Sequence, residues 1–292
     1  MSDVADLAAD TTPTPISAGR YHLEISRRWN FALPSGGVLA TAALRAASQE
    51  LADEGLRLGS ATAIFCTPIQ PGALDLDVTI LRRGGSAAQI RTTVRAGGAP
   101  EVGFEVVATF CRDRRGPDVR GARMPDVPPP DACPSVIDEH GSNPHPKSTF
   151  FAQVDCRVAR GDRFWLGGWE ARAPRYARWF RYRAPQRDAA GRFDRLALAP
   201  LADTMPPALL QAIGPGEYRF YAPSCDLTLH AVDDTDREWV LVSVYARRAR
   251  AGWAIAEAEL WDDTGRLLGV ATQTMYISHL RGEPPIIDAS DR

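Results

Sequence analysis

The chain is poor in the residues that mark several common classes of protein. Its five cysteines stand at irregular positions, with no C-x-x-C pair and no cysteine–histidine spacing typical of zinc. The sequence therefore predicts no metal site and no disulfide framework, and reduced thiols favour a cytoplasmic location. Lysine occurs once, at Lys147, and the formal net charge is −2. A charge so close to zero gives no indication of nucleic-acid binding.

Several sequence motifs are missing as well. There is no G-x-S-x-G sequence, which argues against an α/β-hydrolase, and no G-x-G-x-x-G or P-loop, so we expect no nucleotide cofactor. Residues 1–15 lack the basic and apolar stretches of a signal peptide. No apolar run approaches the roughly 20 residues that span a bilayer, so we expect no membrane partner.

What the sequence does contain is an internal repeat, because each half reads as an apolar helix followed by alternating strands. The first half predicts a strand at 20–28, a helix at 37–53 and strands at 61–67, 73–82, 87–96 and 101–112. The second half predicts strands at 150–159, 163–169 and 175–183, a helix at 201–213 and strands at 226–232, 239–249, 253–261 and 267–277. This order predicts an α+β fold in which each antiparallel sheet wraps one helix.

Changes in composition mark the ends of the two repeats. The segment between them is rich first in arginine and aspartate and then in proline, which is typical of an extended linker. Both chain ends read as loose segments. The predicted organisation is a flexible N-terminal tail (1–16), an N-terminal unit (17–113), a proline-rich linker (114–149), a C-terminal unit (150–280) and a C-terminal tail (281–292).

The two repeats differ at positions where polar groups could carry chemistry. Gly37 aligns with Asp203, and Phe110 aligns with Gln273. Because the carboxylate and the amide stand only in the second copy, we expect a single asymmetric active site. Gly36 and Gly37 either let a substrate approach the backbone closely or form a tight turn, and the sequence favours neither.

The order of several motifs resembles the acyl-CoA thioesterase II family and its thioesterase-like relatives. The matching stretches are Asn30-Phe31 with Gly36-Gly37 and the helix that follows, Leu198-Ala199-Pro200-Leu201-Ala202-Asp203, Pro223-Ser224-Cys225-Asp226-Leu227-Thr228-Leu229-His230, and Gly265-Arg266-Leu267-Leu268-Gly269-Val270-Ala271-Thr272-Gln273. The resemblance covers about residues 17–113 and 150–280. It implies a double hotdog fold, in which the two units place their sheets side by side.

The resemblance also implies a chemistry. The family hydrolyses acyl-CoA thioesters with an aspartate, a serine or threonine, and a glutamine that jointly hold a water molecule. Asp203 matches the aspartate and Gln273 the glutamine. Ser224 fits the spacing of the hydroxyl residue better, and Thr228 is the alternative. The substrate would be an acyl-CoA or acyl-carrier thioester, and no cofactor is implied.

Two of these features also have simpler interpretations. Asp203 lies at the start of the predicted helix at 201–213, whose N–H groups and dipole would keep its pKa low while it accepts a proton from water or orients it. The alternative is a helix cap without a catalytic role. The arginine-rich strand at 175–183 could bind CoA phosphates, but an exposed edge strand protected by its charges is the simpler interpretation.

The sequence therefore predicts a cytoplasmic acyl-CoA thioesterase of fatty acid metabolism. Its catalytic residues would be Asp203, Gln273 and Ser224 or Thr228, with Gly36 and Gly37 at the substrate. A homo-oligomer is compatible with this prediction. The alternative is a non-hydrolytic acyl-thioester binding protein or an acyltransferase of specialised metabolism on the same fold, with an enoyl hydratase as a more distant third.

Overall fold

The computed structural model describes residues 4–137 and 148–287. Its first half contains α1 (Leu7–Thr11), β1 (Thr14–Ser17), β2 (Arg20–Ile25), α2 (Gly36–Leu51), β3 (Arg57–Phe65), β4 (Gly72–Arg83), β5 (Ala87–Ala96) and β6 (Phe104–Cys111). Its second half contains β7 (Val154–Arg160), β8 (Arg175–Tyr182), α3 (Leu198–Ala202), α4 (Pro206–Ile213), β9 (Arg219–Tyr221), β10 (Asp226–Ala231), β11 (Val240–Arg250), β12 (Trp253–Asp262), β13 (Leu267–Tyr276) and β14 (Ser278–Arg281).

Among the described residues, the two halves share one sheet of 12 strands, and β9 and β14 form a separate two-stranded ribbon. The order in the large sheet is β1-β2-β4-β5-β6-β3-β10-β13-β12-β11-β8-β7, so the second half repeats the first outward from the centre. The halves meet where β3 and β10 pair antiparallel, with Thr62 opposite Thr228. This arrangement confirms the predicted α+β double hotdog with its sheets side by side.

The central helix of the first half, α2, is buried on most of its surface. Alanines supply much of that surface, and small side chains let neighbouring backbone approach closely. At its first turn, a Cβ added to Gly37 would lie 2.3 Å from the carbonyl oxygen of Ala199. The start of α2 therefore lies directly against the backbone of α3, in the other half of the molecule.

The central helix of the second half is broken, in contrast to the single helix predicted at 201–213. Helix α3 ends at Ala202, and α4 begins at Pro206. Pro206 and Pro207 have no backbone N–H, so they cannot bond to carbonyls in the preceding turn and can only start a new helix. The break leaves Asp203 at the end of α3 rather than inside a continuous helix.

The prediction of a flexible N-terminal tail at 1–16 is wrong for the residues that the structure describes. Helix α1 lies in this segment, and its Leu7 is fully buried. The Ala5 N–H donates to Gln153 Oε1 (2.9 Å), and Trp29 Nε1 donates to Asp10 Oδ2 (2.7 Å). These bonds and the burial of Leu7 fix the segment to both halves. Residues 1–3, 138–147 of the predicted linker and 288–292 of the predicted C-terminal tail lie outside the described residues.

Two strand predictions also need correction. No strand forms at 163–169, where Gly167 and Gly168 adopt positive φ angles of 75° and 67° that end an extended run. Strand β8, at the arginine-rich segment, is not an edge strand, because it pairs with both β7 and β11. The outer edge of β7 is itself bonded to the end of the linker, where Val158 N–H donates to the carbonyl of Pro134.

The segment Arg195–Ile213, which contains α3 and α4, is the one helical stretch among the described residues long and apolar enough to cross a membrane. The sequence patterns did not single it out. In the folded protein 83% of its most apolar window is buried, so it forms part of the core.

Candidate active site

The carboxylate of Asp203 lies at the start of α2, the helix of the other half. Its Oδ2 accepts hydrogen bonds from the Gly37 N–H (2.9 Å) and from Ser35 Oγ (3.1 Å). The helix that stabilises this anion is therefore α2. The sequence had suggested the helix that contains α4, but the first two residues of α4 are prolines, which have no N–H to offer a carboxylate. The site is built at the junction of the two hotdog units.

The other carboxylate oxygen contacts the two remaining predicted residues. Asp203 Oδ1 accepts hydrogen bonds from Gln273 Nε2 (2.7 Å) and Ser224 Oγ (2.9 Å). Gln273 Nε2 also donates to Ser224 Oγ at 2.5 Å. Asp203, Ser224 and Gln273 thus lie in direct mutual contact, although 70 residues separate Asp203 from Gln273.

Ser224 is oriented by a one-residue shift at the start of β10. Along β10 and β13 the pairing is regular, with Thr228 opposite Thr272. At that register Ser224 would lie opposite Tyr276, whose side chain is exposed, but it pairs with the buried Met275 instead. A shift of one residue turns a side chain to the other face of a sheet. The shift therefore turns Ser224 inward, toward the carboxylate.

Thr228, the alternative hydroxyl, lies on the opposite face of the sheet. Its neighbours along β10, Leu227 and Leu229, are buried, and the side chain between them points outward. There Thr228 Oγ1 shares a hydrogen bond with Thr62 Oγ1 (3.0 Å). The structure therefore brings Ser224, and not Thr228, to Asp203.

The pKa of Asp203 is raised, in contrast to the sequence expectation. Burial disfavours the charged carboxylate, and this effect outweighs the hydrogen bonds from Gly37, Ser224, Ser35 and Gln273, which act in the opposite direction. All four donors are neutral groups. A raised pKa moves a carboxylate toward the range in which it works as a general base.

A cavity of about 1080 Å³ opens beside this cluster. It runs between the two central helices, with Leu39 of α2 and Leu210 of α4 among its walls. Asp203 and Ser224 line it, whereas Gln273 is buried behind them and its Oε1 has no hydrogen-bond partner among the described residues. The other walls are largely aromatic and apolar, which suits an acyl chain; they include Phe31, Phe65, Phe151, Phe164 and Trp169.

The two glycines of α2 have different surroundings. Gly36 lines the cavity, and a Cβ added there would meet the Phe65 ring at 2.7 Å. Gly37 does not line the cavity; its N–H is occupied by Asp203, and the space for its Cβ is filled by backbone of Ala199. Both glycines were predicted to lie at the substrate. Of the two, Gly36 borders the cavity that a substrate could enter, and Gly37 does not.

Three further residues of the site were missed in the sequence. In the sequence, Ser35 was only a serine before a glycine pair. In the structure its hydroxyl does not cap α2 but donates to Asp203. Tyr221 lines the cavity, and partial burial and the nearby Asp203 charge raise the pKa of its phenol, which keeps it a donor. Arg178 also lines the cavity, and its signal was an arginine in phase with the aromatic residues of β8.

No group of three histidine, cysteine, aspartate or glutamate side chains in the described ranges is arranged to hold a metal ion. The chemistry of the cluster is that of a carboxylate, a hydroxyl and an amide. Such a set can bind, orient and deprotonate a water molecule.

Two family models match the chain. Residues 25–111 match the acyl-CoA thioesterase N-terminal domain, and residues 130–277 match the acyl-CoA thioesterase C-terminal domain. The two matches fall on the two hotdog units and include every residue of the cluster. No curated protein sequence matches the chain.

Solved structures show the same architecture. A hot dog fold protein from Alicyclobacillus acidocaldarius is 22% identical, with a TM-score of 0.78 over 96% of this chain and 98% of its own. An acyl-CoA thioesterase II from Mycobacterium marinum is 21% identical, with a TM-score of 0.74 over 96% of this chain and 99% of its own. A candidate thioesterase from Novosphingobium aromaticivorans is 23% identical, with a TM-score of 0.74 over 93% of this chain and 99% of its own. At these identities the likeness establishes the fold.

Proposed function

Because the chain belongs to the acyl-CoA thioesterase family, we propose that it hydrolyses an acyl-CoA thioester to the free acid and CoA, with Asp203, Ser224 and Gln273 as the catalytic set. The observation that carries this proposal is the direct contact of these three side chains beside an apolar cavity. The contact joins the end of α3, the bulged start of β10 and β13. A purely structural role would not require three polar side chains to meet beside a cavity.

In the first step a water molecule attacks the thioester carbonyl carbon. Asp203, with its raised pKa, accepts a proton from that water, while Ser224 orients it from the cavity wall. Gln273 holds Asp203 and Ser224 through its Nε2 from its buried position behind them. The carbonyl oxygen becomes an oxyanion, for which the first turn of α2 at Gly36 offers a backbone donor.

In the second step the tetrahedral intermediate collapses. The carbon–sulfur bond breaks, the sulfur leaves with the bonding electron pair, and the proton held by Asp203 passes to the thiolate. The products are the carboxylic acid and the CoA thiol, and Asp203 returns to its charged form. No cofactor takes part in this sequence, and an acyl group on a carrier protein would react in the same way.

Thiol release from a panel of acyl-CoA thioesters tests the proposal. Asp203→Asn keeps the size of the side chain but removes the base, so we expect kcat to fall by at least about 10²-fold. Asp226→Asn is the matched control, since Asp226 lies two residues beyond Ser224 on β10 and bonds to the backbone N–H of Thr274 instead. We expect its kcat to stay within a few fold of the wild type.

Two results would contradict the proposal. One is a fully active Asp203→Asn enzyme. The other is a wild-type protein that binds acyl-CoA without releasing thiol, which would instead support the non-hydrolytic binding protein or acyltransferase.

A further inference from the structure

Arg178 is a buried cation on the inner face of β8. It stands between Tyr176 and Phe180 in the row of side chains that points into the core, and it is only 5% exposed. Its guanidinium lies near the rings of Phe180 (5.1 Å), Phe151 (5.7 Å) and Tyr176 (5.7 Å). Arginine is almost never buried so completely unless an anion pairs with it.

In the described part of the chain, no carboxylate forms an ion pair with Arg178. Among those described residues, its one hydrogen bond runs from Nη2 to the carbonyl oxygen of Thr204 (2.9 Å). A guanidinium has five N–H donors and carries a positive charge. Arg45, another largely buried arginine, shows the usual solution, because it pairs with Asp194 at 2.6 Å. Arg178 therefore has the donors and the charge to bind an anion that the chain itself does not supply.

The position of Arg178 indicates where such an anion would lie. Arg178 lines the same cavity as Asp203 and Ser224, and the carbonyl that it holds belongs to the residue after Asp203. Asp203 and Arg178 nevertheless form no ion pair, so their charged atoms are more than 4.0 Å apart. An acyl chain seated with its thioester at Asp203 would need only a short further length to bring a second polar group to Arg178.

We propose that Arg178 binds a carboxylate on the acyl group, so that the preferred substrates are thioesters of dicarboxylic acids of short to medium chain length. This inference rests on the proposed thioester hydrolysis, since it places the reacting carbonyl at Asp203. A planar guanidinium and a carboxylate can form two parallel hydrogen bonds, which a terminal methyl group cannot replace. The phosphates of CoA do not fit, because the long pantetheine arm separates them from the sulfur.

The decisive measurement is binding, which needs no turnover. Calorimetric titration of the Asp203→Asn protein would compare pairs of acyl-CoA molecules of equal chain length, one ending in a methyl group and one in a carboxylate. We expect the carboxylate-ended member to bind about 10- to 100-fold more tightly, the range for a charged hydrogen-bonded pair. Equal or weaker binding of that member would overturn the proposal.

Variants of Arg178 in the same background assign the preference to this residue. Arg178→Met should abolish it, Arg178→Lys should retain part of it, and Arg175→Met, on the exposed end of β8, should leave it intact. If Arg178→Met does not fold, the lysine variant and the unmutated comparison still decide. A loss of affinity that is equal for both members of each pair would show that Arg178 only holds Thr204, and it would overturn the proposal.

The outcome is separable from that of the hydrolysis proposal. A wild-type protein that releases no thiol, while its Asp203→Asn form still prefers the carboxylate-ended ligand through Arg178, would end the hydrolysis proposal and support the carboxylate site. An active enzyme with no such preference would do the reverse.

Discussion

The two hotdog units share one architecture but contribute different groups to the site. The first unit has a continuous 16-residue helix, α2, which supplies the Gly37 N–H and the Ser35 hydroxyl. The second unit has a broken helix and supplies Asp203, Ser224 and Gln273. One unit therefore offers donors at a helix start and the other offers the carboxylate that they hold. The difference teaches that the cluster belongs to the second unit, whereas the groups that hold the second carboxylate oxygen of Asp203 come from the first.

The break between α3 and α4 is what makes the halves complementary. Pro206 and Pro207 prevent α3 and α4 from forming one continuous helix. Asp203 therefore lies in the break between them, where its carboxylate accepts the hydrogen bond from the Gly37 N–H of α2. At the aligned position of the first unit, Gly37 has no side chain, and the backbone of α3 fills the space. The same place in the two repeats therefore carries an acid in one and a close backbone contact in the other.

Placing a side chain on Gly37 should break this complementarity with the largest effect. In Gly37→Ala the new Cβ would lie 2.3 Å from the Ala199 carbonyl oxygen and 2.6 Å from Pro200 Cα, both backbone atoms that cannot rotate away. We expect a loss of about 3 kcal/mol or more in the free energy of unfolding. We also expect thiol release to fall by at least about 10²-fold, because α2 must move off Asp203 and the carboxylate loses the donors that hold it. Urea unfolding and the thiol assay measure the two effects.

Gly36→Ala is the matched control for that substitution. Its Cβ would meet the ring of Phe65 at 2.7 Å, and a side chain can shift where backbone cannot. We expect the stability of this variant to fall by clearly less. Equal stability loss in the two variants would show that the close contact between α2 and α3 is not what Gly37 provides.

Removing each of the two candidate hydroxyls in turn should reveal the next largest effect. Ser224→Ala removes a donor to Asp203 and the acceptor for Gln273 Nε2, so we expect kcat to fall about 10- to 100-fold. Thr228→Val removes a hydroxyl on the other face of the sheet, where its partner is Thr62, and kcat should change by less than about twofold. Kinetics with one acyl-CoA compare both. A loss in Thr228→Val with an intact Ser224→Ala would reverse the assignment.

These contrasts also show how much could be predicted from the sequence. The repeat and the long strands follow from periodicity, because the alternation of side chains along a strand is a local property. The approach of Asp203 and Gln273 was implied only by the resemblance to the thioesterase family. The choice of Ser224 over Thr228 depends on a shift in pairing with β13, which lies about 50 residues away and is invisible in β10 itself.

The parts that could not be predicted depend on contacts between the halves. The bond from Ser35 to Asp203 spans 168 residues, and no local pattern marks it. The burial that raises the pKa of Asp203 is a property of the assembled junction, whereas the sequence suggested only a helix start. The segment that contains α1 likewise read as a loose tail, because the groups that hold it lie elsewhere in the chain. The Ala5 N–H bonds to Gln153, and Asp10 accepts from Trp29.

The smallest effect should appear in stability and its dependence on pH. Burial raises the pKa of Asp203 above the ordinary value of 3.8, so the folded protein holds this proton more tightly than the unfolded chain does. The free energy of unfolding therefore falls as the pH rises from 3.8 through the raised pKa, and it stays reduced above that range. At neutral pH the folded protein consequently bears the cost of a buried negative charge, which the proposed role of Asp203 as a base requires.

Asp203→Asn removes that charge, so we expect the variant to melt at a higher temperature than the wild type at pH 7, by about 2–4 °C for each kcal/mol gained. Below pH 3.8 the wild-type carboxyl is mostly protonated in both the folded and the unfolded protein, and the difference should shrink. Scanning calorimetry at pH 7 and at pH 3.5 measures it, with Asp226→Asn as the control that shows no such gain. An Asp203→Asn protein that is less stable than the wild type at pH 7 would mean that the four hydrogen bonds to this carboxylate outweigh its burial, and that the junction was built for stability rather than for a reactive base.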